Sequence, residues 1–345
     1  MPKPVSILRA KAPLRISFAG GGTDVDPYRS QFGGCTLSAT IDKFAYVSCR
    51  PRNDDTIEVR SLDYDIVAKY STKQTFVMDG ELDLAKAVIS KLRRGATAKG
   101  FDLFMHSDAP PGSGLGSSST MVVALVSLFK EYFKRPLTSY EIAELAYAIE
   151  RKDLGMKGGM QDQYGATFGG FNFIEYDATK AIVNPLRLNP ETLLELHYSL
   201  ILCYTRQTRQ SAGIIDEQIA HIERGNDDAL RATHKLKDLC VQMKNALLQG
   251  QLGEFGALMH ASWEAKKQIA TKITNARIDE MYDESRKLGA MGGKILGAGG
   301  GGYLLVFAPF DKRHVIMRRL SDMGGQPIDF NFEPQGAVTW RANAS

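Results

Sequence analysis

Cysteine is scarce in this 345-residue chain. There are four, Cys35, Cys49, Cys203 and Cys240, and no two form a CxxC pair. That spacing excludes a zinc ribbon or a disulfide framework, so the thiols read as buried and reduced. Long apolar runs are missing too. The longest, such as residues 121–126, fall far short of the roughly 20 residues that a membrane-spanning helix needs. The opening residues, Met1-Pro2-Lys3-Pro4-Val5-Ser6, lack the apolar segment of a secretion signal. The expectation is a soluble, cytoplasmic protein with no membrane partner. Charge of one sign is concentrated nowhere. Lys and Arg number 43 against 39 Asp and Glu, for a net charge of +4 without a long basic block. Such a spread argues against a nucleic-acid partner, while the mild excess suits a small anionic ligand.

The chain length is enough for two packed domains. Segments 12–18, 35–50, 57–60, 66–70, 101–106 and 171–176 are apolar, several rich in β-branched or aromatic residues, and read as strands. Helical spacing marks 82–92 and 117–133. A capping box, Thr138 with Glu141, opens another helix that runs to about residue 151. The second half changes texture. Amphipathic helices are expected at 214–224, 228–248, 254–272 and 278–288, with strands at 197–204, 294–296, 303–307 and near 328–332. Asp311 can cap one more helix. Pro185 and Pro190 mark the expected boundary between units 1–190 and 191–345.

The most informative stretch is Pro110-Pro111-Gly112-Ser113-Gly114-Leu115-Gly116-Ser117-Ser118-Ser119-Thr120. A strand leads into it and an apolar helix follows. The first N–H groups of a helix have no internal partner, and the helix dipole favours negative charge there. Glycines let the backbone approach phosphate oxygens, and the serines add hydroxyls. No lysine stands at the helix start, so the loop is not of the Walker type. No HRD or DFG element follows, which excludes a protein-kinase loop. A literal GxGxxG occurs at Gly297, Gly299 and Gly302, but a strand follows it where a dinucleotide site needs a helix.

Three motifs in order, PLRISFAGGGTD from Pro13, PPGSGLGSSS from Pro110 and KILGAGGGGYLLVF from Lys294, resemble those of the GHMP small-molecule kinases. The resemblance implies an α+β, two-domain fold, with an N-terminal domain of ribosomal-protein type and a ferredoxin-like C-terminal domain carrying added helices. It implies an ATP-dependent kinase that uses Mg²⁺. RISFAGGGTDVDPY, ATIDKFAYV and YTRQTRQSAGIIDEQ look like the sugar-kinase branch that holds heptose 7-phosphate kinases and the kinase part of L-fucokinase. The implied acceptor is a small sugar phosphate taken at its anomeric hydroxyl, and the implied state is a monomer or homodimer. Two other readings remain: a kinase of another sugar such as L-fucose, and a non-catalytic sugar sensor with the same fold.

The resemblance also assigns roles. Asp162, in the GxxDQ pattern, would take or orient the acceptor's proton, and Arg15 would stand beside the transferred phosphoryl group. Pro111, Gly112, Ser113, Gly114, Leu115, Gly116, Ser117, Ser118 and Ser119 would hold the nucleotide phosphates. Ser118 and Glu150 would ligate Mg²⁺, although residue order alone does not separate Ser118 from Ser117 or Ser119. Gly22, Thr23 and Asp24 would meet the sugar. Gly299 and Gly300, in the loop 297–302 of the second unit, would come close as backbone to the nucleotide phosphates or the substrate. Arg206 and Arg209, with Lys157 and Ser211 as further candidates, would receive the acceptor's own phosphate.

Overall fold

The computed structural model describes residues 6–93, 99–207 and 212–343. Its first half runs β1 (Ser6–Ala19), α1 (Tyr28–Phe32), β2 (Gly34–Pro51), β3 (Thr56–Ser61), β4 (Ile66–Ser71), α2 (Asp83–Arg93), β5 (Phe101–Ser107), α3 (Ser117–Tyr132), α4 (Ser139–Tyr147), α5 (Gln161–Phe168), β6 (Phe171–Tyr176) and β7 (Ala181–Pro185). The second half runs α6 (Pro190–Ser199), β8 (Leu200–Tyr204), α7 (Ala212–Glu223), α8 (Asp227–Leu248), α9 (Leu252–Lys267), α10 (Ala276–Lys287), β9 (Gly292–Ile295), β10 (Tyr303–Phe307), α11 (Arg313–Asp322), β11 (Gln326–Ile328) and β12 (Val338–Asn343).

Two sheets organise these elements. The first has the order β12-β1-β2-β5-β3-β4, with β6 and β7 continuing from the other end of the long β2. Helix α3 lies over it, and every residue from Ser119 to Phe129 is buried. A helix apolar all round must sit inside the protein, and this one carries the phosphate loop at its start. The second sheet is antiparallel with the order β11-β8-β10-β9. That order is the ferredoxin-like one expected for the second domain. Leu236, Leu239, Cys240, Met243 and Leu247 form the buried stripe of α8, while Phe255, Met259 and Trp263 do the same on α9. All four cysteines are free and buried.

Three expectations need correction. Residues 197–199 are not strand. Asn189 caps a helix through Glu191 N–H, Pro190 takes its first position, and the strand starts at Leu200. Those start signals outweigh the apolar composition of the segment. Asp311 caps nothing. The N-cap position of α11 is Lys312, with no side-chain capping bond. The second unit does not run unbroken to residue 345, because β12 returns to the first sheet and pairs antiparallel with β1 from Ser6 to Lys11.

Candidate active site

Helix α3 begins at Ser117, and its N-cap position is Gly116, whose left-handed backbone (φ 78°) brings no side-chain cap to the helix start. The leading N–H groups therefore point into the loop without a side-chain acceptor, as an anion site requires. Gly112 and Gly114 are also left-handed, at φ 74° and 89°. Pro111 and Gly112 are exposed, whereas Ser113 and Leu115 are fully buried. Leu115 can offer a ligand only its backbone. Its side chain belongs to the core beneath β1, and its carbonyl accepts from Arg15 N–H at 3.2 Å.

The second glycine loop packs directly on the first. A Cβ on Gly114 would stand 2.5 Å from the Leu296 carbonyl, and one on Gly302 would stand 2.1 Å from the Ser113 carbonyl. Tyr303 N–H donates to that Ser113 carbonyl at 3.1 Å. Gly297 and Gly302 thus meet the phosphate loop. Gly299 and Gly300 instead turn towards Ile273, whose carbonyl accepts from Gly300 N–H at 2.8 Å.

Arg15 and Asp162 come together across 147 residues. Arg15 is 2% exposed and donates from Nε to Asp162 Oδ1 at 2.8 Å and from Nη1 to the Gly114 carbonyl at 2.6 Å. An arginine inside an apolar strand needs such partners. The Asp162 carboxyl carbon lies 3.1 Å from where a Cβ on Gly116 would be, so the carboxylate sits at the mouth of the phosphate loop.

Glu150 and Ser118 also meet. Glu150 stands in a six-residue π-helical turn, Ala148–Asp153, which extends α4 and is a local geometry often found at functional sites. It is 1% exposed. Ser118 donates to its Oε1 at 2.8 Å, Ser119 to its Oε2 at 2.6 Å, and Gln163 Nε2 to Oε2 at 2.7 Å. Arg151 adds an ion pair at 3.4 Å. Glu150 is the carboxylate that Ser118, Ser119 and Gln163 meet, and among the described residues no three His, Cys, Asp or Glu side chains cluster as a metal site. A hydroxyl and a single carboxylate at a phosphate-binding helix start nonetheless fit Mg²⁺, which keeps waters and takes phosphate oxygens as its remaining ligands.

On the acceptor side, Asp24 is buried and accepts from Gly22 N–H at 3.1 Å and Gln161 N–H at 3.0 Å. Burial pushes its carboxyl upward from the ordinary value; the two N–H bonds oppose this, and the Asp162 charge adds to it. Gly159 makes the approach of the GxxDQ segment possible, since a Cβ there would meet Asp24 Oδ2 at 1.9 Å. Thr23 is structural. Its hydroxyl lies 2.8 Å from the carbonyls of both Gly20 and Cys35 and accepts from Cys35 N–H at 3.0 Å, leaving little for a sugar. Arg206 and Lys157 are exposed. Arg209 and Ser211 lie outside the described residues.

Two lysines stand at this site to which the sequence assigned no role, although Lys294 opens the third motif. Lys266 on α9 is 4% exposed and Lys294 on β9 is 3% exposed. Burial, then the Arg15 charge, lowers Lys266 to about 8. Burial, then the neighbouring Lys266, drives Lys294 well below the ordinary lysine value. In sequence Lys266 stands beside Lys267 at a helix C-terminus, the ordinary place for a solvated lysine. Gln161, Gln163 and Arg151 were likewise unmarked, apart from lying in or near the GxxDQ pattern.

Kinship with known proteins agrees with this geometry. Residues 83–170 match the model for the GHMP kinases N-terminal domain, and residues 243–326 match that for the GHMP kinases C-terminal. A D-glycero-alpha-D-manno-heptose 7-phosphate kinase from Campylobacter jejuni is 38% identical over 97% of this chain and 99% of its own. This chain belongs to the GHMP kinase family. Among solved structures, a D-glycero-D-manno-heptose 1-phosphate kinase from Bacteroides thetaiotaomicron superposes with a TM-score of 0.82. It is 36% identical and covers 98% of this GHMP kinase and 100% of its own chain. A Lactococcus lactis galactokinase complexed with galactose shares the GHMP kinase fold, with a TM-score of 0.79 at 20% identity, covering 96% of this chain and 95% of its own. No helix among the described residues of this family member is long and apolar enough to cross a membrane.

Proposed function

We propose that this ATP-dependent sugar kinase transfers the γ-phosphoryl group to the anomeric hydroxyl of D-glycero-D-manno-heptose 7-phosphate, giving the 1,7-bisphosphate. The observation that carries the chemistry is the Arg15–Asp162 pair at the mouth of the phosphate loop, 2.7 Å between Nη2 and Oδ1, with Asp24 reaching the same segment through Gln161 N–H. The acceptor assignment is supported by 38% identity to the Campylobacter jejuni enzyme over nearly the whole chain.

The roles follow from charge and position. Asp162 receives the proton of the acceptor hydroxyl. The freed oxygen forms a bond to the γ-phosphorus, the bond to the β–γ bridging oxygen breaks, and its electron pair leaves on ADP. Phosphoryl transfer passes through a loose transition state, so placement and charge stabilisation matter more than a strong base. Arg15 keeps Asp162 in place and presents positive charge to the equatorial oxygens. Backbone N–H groups of Ser117, Ser118 and Ser119 hold the nucleotide phosphates, and Asp24 accepts from a sugar hydroxyl. Ser118 and Glu150 would hold Mg²⁺, which would supply neutralising charge for the nucleotide phosphates.

Measurement of ADP release with a panel of sugars and sugar phosphates tests the proposal. Heptose 7-phosphate is expected to drive release, with the unphosphorylated heptose and L-fucose far weaker. Release with L-fucose alone would reassign the acceptor, and release with none of the panel would favour the sensor reading.

A further inference from the structure

Gly21 leaves an opening in the acceptor turn. The position its Cβ would take lies 3.3 Å from Gln161 Nε2, 3.6 Å from Ser17 Oγ and 4.0 Å from Lys266 Nζ. Three polar groups from β1, α5 and α9 converge there, and among the described residues no other side chain lies closer to that position. Ser17 is 2% exposed, and its hydroxyl has no hydrogen-bond partner among the described residues. The Lys266 ammonium has one acceptor among the described residues, the Gly297 carbonyl at 2.5 Å, and no carboxylate within ion-pair distance. A buried ammonium with a single neutral acceptor is costly, and unsatisfied buried hydroxyls are rare, so the cluster is incomplete without a ligand.

We propose that Lys266, Ser17 and Gln161 form a binding spot beside Gly21 for a phosphate oxygen of the reacting complex. The proposal rests on the kinase reading above. Two sources supply that oxygen: the acceptor's own phosphate and the phosphoryl group in transfer. The place suits both. Lys266 lies between the acceptor turn and the second glycine loop, and its Gly297 anchor packs on Gly114, the residue whose carbonyl accepts from Arg15. The charges that bear on the ammonium are Arg15 from β1, Asp24 from the turn, Asp162 from α5 and Lys294 from β9. An incoming phosphate would give Lys266 the counter-charge that the protein withholds.

Calorimetric titration separates the sources. Heptose 7-phosphate, ADP alone, and ADP with aluminium fluoride are each titrated into the wild type, Lys266→Met and Gly21→Ala. Gly21 has no left-handed backbone, so the alanine methyl fills the spot without backbone strain. Both variants are expected to bind ADP alone as the wild type does, and to lose at least tenfold in affinity for one of the other two ligands. Weaker sugar phosphate binding assigns the spot to the acceptor's phosphate. Weaker ADP–fluoride binding assigns it to the group in transfer. If the wild type binds no heptose 7-phosphate, the proposed acceptor fails while the ADP–fluoride comparison still decides the role of Lys266. Unchanged affinity in both variants for every ligand the wild type binds would overturn the proposal. Lys266→Arg, which keeps the charge, is expected to restore part of the loss, and melting curves establish that each variant is folded.

Discussion

Asp162→Asn keeps the shape of the side chain and removes the charge that takes the acceptor's proton. Positioned acid–base groups contribute about 10²- to 10⁴-fold, so turnover is expected to fall within that range while ATP binding stays intact. Parallel ADP-release and nucleotide-titration measurements check this, and full turnover in the variant would remove the base role. Glu150→Gln takes the only carboxylate from the Ser118, Ser119 and Gln163 cluster. The Mg²⁺ concentration for half-maximal activity is expected to rise by about tenfold or more, read from a metal titration at saturating ATP. Lys266 makes a different, pH-dependent prediction. Its folded value of about 8 lies below the ordinary 10.5, so between these pH values the unfolded chain binds more protons than the folded one. Stability therefore rises with pH across that window, and below pH 8 the full cost of burying the charge, about 3 kcal/mol, is present. Lys266→Met is expected to melt above the wild type at pH 7, with the gap closing towards pH 10. Equal gaps at both pH values would show that Lys266 does not titrate as described.

At the scale of elements, Thr138 offers a direct check on local reading. Its hydroxyl accepts from Glu141 N–H and its own N–H donates to the Glu141 carboxylate at 2.7 Å, a complete capping box. Thr138→Ala is expected to cost about 1 kcal/mol, measured by chemical denaturation, with little change in turnover. This cap was legible because the whole motif spans four residues. The stripes of α8 and α9 were legible for a similar reason: their period is local and their apolar side chains are large. Legibility ended where partners are distant. The strand β12, with the sequence VTWRAN, carries polar residues on a half-exposed edge, and only its pairing with β1 makes it a strand. Residues 197–199 have apolar neighbours, yet the Asn189-Pro190 start carries the helix through them. In the site, Arg15, Asp162 and Asp24 were found through motif resemblance. Lys266 was not, because nothing near it in sequence shows that the first unit covers it, and Lys294, although it opens the third motif, carries no sign there that its ammonium is buried against β1.

At the scale of the molecule, the first sheet depends on both ends of the described chain. Strand β1 carries Arg15 and lies between β2 and β12. Deleting residues 337–345 removes no proposed catalytic group, yet it exposes the backbone edge of β1 from Ser6 to Lys11. The truncated protein is expected to melt lower and to lose turnover in proportion to unfolding; an unchanged melting curve would show that the strand is dispensable. The two glycine loops have a consequence for how such a site can change over generations. Gly114 meets Gly297 and the Leu296 carbonyl, and Gly302 meets the Ser113 carbonyl, with no side chain at the point of contact. A bulkier residue in one loop therefore has nothing opposite it to trim. In a selection for compensating changes, substitutions at Gly114 or Gly302 should yield no suppressors in the facing loop. That seam between the domains is then a place where the lineage can lose the enzyme in one step but cannot recover it by adjusting the other side.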